Sequence, residues 1–492
     1  MTIPSGEVQS SQQTKTVGWR ELSSAKFSFD SPFRLGLMGN QIFIAERVVR
    51  ILPKKRIVAF GTWEGKQVVA KLFFDPQRAK RHAEKDAAGV KVLIENKVPT
   101  PGILYQGVSE DKRIQVVLLE RIFDSQNLEE LWLDRQSLDE LLPVMQAVMT
   151  ELATQHVLGL MQNDAHLKNF LATEKHIYTL DGDQIQRFPE MLNKKTSMQN
   201  LALFLAQLGV GLDAYQEKLF LYYAKLRGWL LKPEDRTFLF LEIKKCNEQR
   251  WQRFEKKIFR DCTDFVSLHK WKAHGMYNRQ YTGPEFLAFL QHPDALIDQV
   301  EGANLLKAGR SSTVVKVELD RRTLVIKRYN MKNMLHRIRR CLRPTRALVS
   351  WRLAQKMRLF GVRTAKPVAF IENKYLGFRG KSYYVTEYIP GMDIGEYFTA
   401  HHDDKSLVSA MVTKVSVLLK SLLKLEITHG DLKSTNILID EKARPVFIDL
   451  DGANEHLSLS GLRSAWHKEI KRFLRNFKGD IELQEKLKNE LI

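Results

Sequence analysis

Apolar positions along this chain change period several times, and each change predicts an element. From Gln41 onward they come in the short bursts of strands: Val48-Val49-Arg50-Ile51-Leu52, Ile57-Val58-Ala59-Phe60, and 67–74, with Gly61 and Glu64-Gly65 as turns. A charged, Ala-rich stretch at about 76–96 predicts a helix, ended by Val98-Pro99-Thr100-Pro101. Another strand is expected at 115–120 and a helical stretch at 127–157. A long helical region should then run from about 197 to 298. Near the C-terminus, Asn436-Ile437-Leu438-Ile439 and Pro445-Val446-Phe447-Ile448 read as a hairpin across the polar turn 440–444.

Polar residues bracket that last hairpin at fixed intervals. Asp431 lies five residues before Asn436, and Asp449 thirteen after it. Phosphoryl transfer from a nucleotide needs one carboxylate to orient the acceptor hydroxyl, and a second carboxylate with an amide oxygen to hold Mg2+. A plain hairpin with acidic turns accounts for the acids but not for their spacing. The pattern is present twice: Asp164 is five residues before Asn169, and Asp181 twelve after it.

Other landmarks keep step with it. Lys71 aligns with Lys327 at 256 residues, Val98-Pro99-Thr100 with Val362-Arg363-Thr364 at 264, and Glu120 with Glu387 at 267. The acids follow at 267 and 268, so two copies of one domain are expected. The boundaries are a flexible leader at 1–30, a first domain at 31–300 and a second at 301–492 with a shorter helical part. Lys71 and Lys327 each end an apolar strand run, where a lysine suits nucleotide phosphates. Glu84 is the expected helix partner of Lys71, with Asp86 as rival; the second copy has no acid in the corresponding stretch. A phosphate-covering loop is only weakly written. Gly309 is the one glycine of Lys307-Ala308-Gly309-Arg310-Ser311-Ser312, and Pro53-Lys54-Lys55-Arg56 has none, so side chains would meet phosphates there.

Composition narrows the setting. At 492 residues the chain is too long for one ordinary core, and 44% hydrophobic content is that of a globular protein. There is no run of 18 uncharged apolar residues, and the polar N-terminus does not read as a signal peptide. Cys246, Cys262 and Cys341 lack disulfide or metal spacing and read as free thiols of a reducing compartment. The net charge of +20 is uneven, with +15 falling in 301–492 and +5 in 1–300. Residues 327–346 hold eight Lys/Arg and no acid, which favours an anionic partner such as a membrane surface or sugar phosphate.

The strings HGDLKSTNILID, FIDLDGA, SWRLAQKMRLFGVRTAKP and KRIVAFGTWEGKQVVAKLFF resemble the bacterial lipopolysaccharide core heptose/Kdo kinases, including tandem and InaA-like members of the protein-kinase-like superfamily. The resemblance covers roughly 45–185 and 303–475. It implies an α+β chain of two tandem protein-kinase-like domains, each a small β-rich N-lobe and a helical C-lobe. It further implies ATP- and Mg2+-dependent transfer to a core-sugar hydroxyl, at the cytoplasmic face of the inner membrane. Asp164 and Asp431 would then orient the hydroxyl. Asn169 with Asp181, and Asn436 with Asp449, would carry Mg2+; Lys71 and Lys327, with Glu84 and Gly309 nearby, would serve the nucleotide. Two other classes fit parts of the pattern. One is a pseudokinase-type regulator that binds nucleotide or lipid; the other is a nucleic-acid binder, disfavoured because the basic run lacks interleaved aromatics. Within enzymes, a small-molecule or protein acceptor is the remaining choice.

Overall fold

The computed structural model describes residues 14–491 except 136, 271–272, 331–343 and 376–377. Most of the basic run and Cys341 therefore lie outside the described residues. The chain is α+β and divides into two compact units, Met1–Leu205 with Tyr215–Glu242, and Ala206–Ala214 with Ile243–Ile492.

In the first unit a seven-stranded sheet has the order Lys15–Thr16, Phe33–Leu37, Gln41–Leu52, Arg56–Trp63, Lys66–Phe73, Gln115–Glu120, Ile103–Val108. Strict alternation explains the strand Arg56–Trp63: Ile57, Ala59 and Trp63 are buried on one face with Phe33, Phe43 and Leu118. The helix Ala79–Glu95 packs its Ala83, Ala87 and Val90 side inward. Below the sheet lie the helices Leu128–Asp134, Leu138–Val157 and Lys194–Leu205 and two small sheets. Asn127 and Ser137 cap the first two of these helices, accepting from the N–H groups of Glu129 and Glu140, so the expected 127–157 helix is broken in two.

The second unit repeats the core of this arrangement. Leu305–Ala308, Ser312–Leu319, Arg322–Tyr329, Phe378–Glu387 and Pro367–Tyr375 stand in the same order as the last five strands of the first sheet. The small sheets recur too: Gly391–Asp393 with Ile437–Asp440 and Pro445–Phe447, and Ile427–Thr428 with Asn454–Glu455. The helix Arg346–Leu359 buries Trp351, Ala354 and Met357 in a core shared with the helices Lys405–Lys424 and Leu459–Leu474. Lys405–Lys424 is long and apolar enough to cross a membrane by composition, yet it buries Val408, Met411, Val415, Leu419 and Leu422 in that core.

The expected helical region 197–298 is not helical throughout. Phe265–Lys270 and Ala273–Asn278 form a hairpin that joins the second unit's sheet, Ala273 opposite Asn373 and Tyr277 opposite Ala369. Alternating inward residues such as Phe265 and Met276, buried against Trp351 and Phe370, hold it there. Arg253, Phe254 and Lys256 do belong to a helix, Pro233–Lys257.

Candidate functional site

In the second unit, the strand Arg322–Tyr329 delivers Lys327 opposite Tyr384, and Asp449 follows the strand Pro445–Phe447. The Lys327 Nζ bonds the Asp449 carboxylate and lies 3.2 Å from Asp451 Oδ2. Arg346, at the head of its helix, is 3.6 Å from the same Asp451 oxygen. Asp449 is left-handed (φ 59, ψ 62), a strained conformation for a non-glycine residue that is concentrated at functional sites. Burial would raise its carboxyl, but the hydrogen bond with Asp451 and the Lys327 charge outweigh it and hold Asp449 down to about 2. Burial, with the bond to Asp449, pushes Asp451 up.

The amide of Asn436 donates to the Asp431 carbonyl at 2.7 Å and reaches its Oδ2 at 3.4 Å, fixing the loop between them. Lys433 Nζ lies 3.5 Å from the same Asp431 oxygen. Gly430 is obligatory on geometry: φ is +79, and a Cβ there would fall 1.9 Å from the Gly452 carbonyl oxygen. Glu469 accepts the N–H groups of His429 (2.9 Å) and Gly430 (2.5 Å), and Arg472 donates to the Gly430 carbonyl at 2.7 Å. Burial keeps the His429 ring below its usual range, with Nε2 against the Ile448 carbonyl at 2.9 Å.

A cavity of about 370 Å³ opens on Lys327, Lys433, Asn436 and Asp449, while Asp431 lies outside its lining. Leu306, Val314, Val325, Leu438 and Ile448 give it apolar walls, with Lys327, Asn436 and Asp449 as polar lining, and Glu387-Tyr388-Ile389 also line it. Glu387 is held by Tyr281 and by Lys366 at 3.0 Å, and these bonds keep its carboxyl low against the opposing effect of burial. Gly309 lies outside the lining, its N–H donating to Ser312 O at 3.0 Å.

The first unit repeats the geometry with different partners. Lys71 Nζ is 2.7 Å from Asp86 Oδ1 and 3.2 Å from Asp181 Oδ1. Asp86, not Glu84, is therefore the helix acid beside Lys71. Glu84 is exposed and faces Lys80 at 3.9 Å, because residues two apart on a helix point to different sides. Burial alone would lower the Lys71 ammonium, but Asp86 and Asp181 together raise it. Asn169 donates to the Asp164 carbonyl at 2.8 Å and reaches Oδ2 at 3.2 Å, matching Asn436 and Asp431. Asp181 is also left-handed (φ 69, ψ 70). Next to it Gly89 and Gly182 meet backbone to backbone: a Cβ on Gly89 would lie 1.8 Å from Gly182 O, so the helix rests on the acid's own turn. Arg56 reaches over this site, 4.0 Å from Asp181 and 3.6 Å from Asp183.

In each unit the lysine meets the later Asp and the Asn amide meets the earlier Asp. Residues 298–492 match the lipopolysaccharide kinase (Kdo/WaaP) family. No curated protein matches the chain. The stretch that matches the lipopolysaccharide kinases contains Lys327, Asp431, Asn436 and Asp449 and every residue lining the cavity. That match is consistent with a phosphotransferase and leaves 1–297 outside it.

Three participants were not read from the sequence. Asp451 supplies Lys327 with the second carboxylate that the helix Arg346–Leu359 lacks; two acids spaced by one residue in Phe447-Ile448-Asp449-Leu450-Asp451 were the available signal. Glu469 and Arg472 clamp the His429-Gly430 backbone from a distant helix, and nothing local in the sequence marks them.

Proposed function

We propose that the chain is an ATP-dependent kinase that phosphorylates a heptose or Kdo sugar of the lipopolysaccharide core, working peripherally at the cytoplasmic face of the inner membrane, with the second unit as a catalytic protein-kinase-like domain. The observation that carries this reading is the convergence of Lys327, Asn436 and Asp449 on one 370 Å³ cavity with apolar walls. The family match over 298–492 supports the acceptor class.

The residues suit the chemistry. The slot between Val314, Val325, Leu438 and Ile448 takes a flat, largely apolar base, and the backbone of 387–389 meets its edge. Lys327 neutralises nucleotide phosphates once their charge draws it from Asp449 and Asp451. Mg2+ is held by one or two carboxylates together with substrate phosphates rather than by a protein cage. Among the described residues no group of three or more His, Cys, Asp or Glu assembles, and an ionised Asp449 that lines the same cavity as Asn436 fits such an ion. When bound, the ion would neutralise phosphate charge that develops during transfer. Asp431, half exposed and steadied by Asn436, orients the acceptor hydroxyl and accepts its proton.

A regulatory role for the first unit has an observation of its own. Arg56 stands where a glycine-rich loop would leave room for phosphates, and it pairs with Asp181 and Asp183. On this reading the first unit binds an anionic group through side chains and the second performs transfer.

Asp431→Ala should abolish phosphate transfer to a lipopolysaccharide-core acceptor, while its melting temperature stays within a few degrees of the parent. Undiminished Mg-ATP turnover by Asp164→Ala/Asp431→Ala would remove the enzyme reading, and nucleotide binding without turnover by the parent would favour the regulator.

A further inference from the structure

The helix Leu459–Leu474, with its continuation Arg475–Phe477, has one side buried and the other exposed. Leu462, Trp466, Ile470, Phe473 and Leu474 are buried in the second unit's core. The opposite side exposes Lys468, Lys471, Arg472 and Arg475, with Arg463 exposed in the helix's first turn and Lys478 just beyond its end. The one acid between Leu459 and Gly479, Glu469, is buried against the catalytic loop, so that face carries no exposed carboxylate. None of Arg463, Lys468, Lys471, Arg475 or Lys478 has an ion-pair partner among the described residues. This contrasts with Lys405, Lys420 and Lys486 nearby in the same unit.

At the head of this helix two leucines face solvent, Leu457 at 104% and Leu459 at 63% exposure. Single exposed leucines need no explanation, but these two are held out by a braced turn. The His456 N–H donates to Glu426 O at 2.8 Å, and its Nε2 meets Thr428 Oγ1 at 2.8 Å. Ser458 caps the helix, accepting the Gly461 N–H at 3.2 Å.

We propose that this face is a docking surface for an anionic phospholipid membrane, with the basic residues against headgroup phosphates and Leu457 and Leu459 as apolar anchors. An unpaired basic face complements anionic headgroups, and the adjoining leucines complement the acyl boundary beneath them. A nucleic acid would use the charges but leave the leucines without a role, and the helix's aromatics, Trp466 and Phe473, are buried rather than presented for base stacking. The surface is also tied to the site: Glu469 and Arg472, on the same helix, grip the backbone of His429 and Gly430. Docking here would therefore set the catalytic loop at the height of a membrane-anchored acceptor, a consequence that rests on the kinase reading, whereas the surface itself does not.

The test is cosedimentation of the full chain with vesicles of phosphatidylcholine alone or with a third phosphatidylglycerol, at about 0.1 M salt. The parent should bind only the anionic vesicles. Arg463→Gln/Lys468→Gln/Lys471→Gln should lose about a hundredfold in partition, at roughly fivefold per basic residue. Leu457→Ser/Leu459→Ser should lose about tenfold or more. Lys405→Gln/Lys442→Gln/Lys488→Gln, an equal charge removal elsewhere on the unit, should stay within about threefold of the parent. Equal losses in both charge triples, unchanged binding by the leucine variant, or duplex DNA binding without vesicle binding would each overturn the proposal. Vesicle binding needs no turnover. A chain that shows this pattern but lacks Mg-ATP turnover would retire the kinase reading alone, and an active chain that ignores vesicles would retire the surface alone.

Discussion

Replacing Asp86 tests whether the buried acid beside Lys71 is a structural necessity of the first unit. Asp86 is fully buried and Lys71 is 8% exposed, so neither has water to fall back on. Removing one partner of such a pair costs about 3–5 kcal/mol, because the remaining charge stays buried. Lys71 keeps Asp181 at 3.2 Å, which places Asp86→Ala at the lower end, about 3 kcal/mol. For a unit of this size that is a fall of about 6–12 °C in its melting transition. Glu84→Ala removes only an exposed 3.9 Å contact with Lys80 and should stay within about 0.5 kcal/mol. Lys71→Met alone should also destabilise, by leaving Asp86 uncompensated. Lys71→Met/Asp86→Leu should recover much of the loss, since an apolar pair of similar volume replaces a desolvated ion pair. The assay is calorimetry on the full chain, with hydrogen exchange of 79–95 to assign the transition to the first unit. Strictly additive single and double variants, or a Glu84→Ala loss equal to that of Asp86→Ala, would refute the pairing.

Gly430→Ala should destabilise the second unit by about 2–4 kcal/mol from the left-handed φ and the clash with Gly452 O; Gly479→Ala, in open space without a positive φ, should cost under about 0.5 kcal/mol in the same melts. Burial lowers the His156 imidazole to about 4, and the ring stays neutral between Tyr223 Oη at 2.6 Å and Asn200 Oδ1 at 3.0 Å. Since the unfolded histidine titrates near 6.5, the unfolded state binds more protons between these values. The contribution is complete above about pH 6.5 and declines by about 3 kcal/mol as pH falls to about 4. Denaturant unfolding from pH 7 to 4 should therefore show a shallower pH dependence in His156→Gln than in the parent, and equal slopes would refute the assignment.

Much of the architecture was legible along the chain. Strand periodicity placed 57–60, 67–74 and 115–120 inside the strands Arg56–Trp63, Lys66–Phe73 and Gln115–Glu120, give or take an end residue, because alternate burial writes a period of two directly into residue choice. The Asp–Asn spacing was equally readable, since five residues close one short turn and bring the Asn436 amide to the Asp431 carbonyl without help from distant chain. The region 265–278 was misread as helical because its strand pattern is short and its sheet partner, Pro367–Tyr375, lies far along the chain.

The sequence alone determined the repeat, the strands that carry Lys71 and Lys327, and the loops that carry Asp164, Asn169, Asp431 and Asn436, all set by local spacing and burial period. Tertiary structure decided which acids those lysines meet. Helix rotation against Gly182 turns Asp86 inward and Glu84 outward, and in the second unit a helix without acids leaves Lys327 to Asp449 and Asp451. Packing also brought Glu469 and Arg472 onto the loop at Gly430. Ion-pair choice depends on distances of a few ångströms between segments remote in sequence, and only the packed chain fixes those distances.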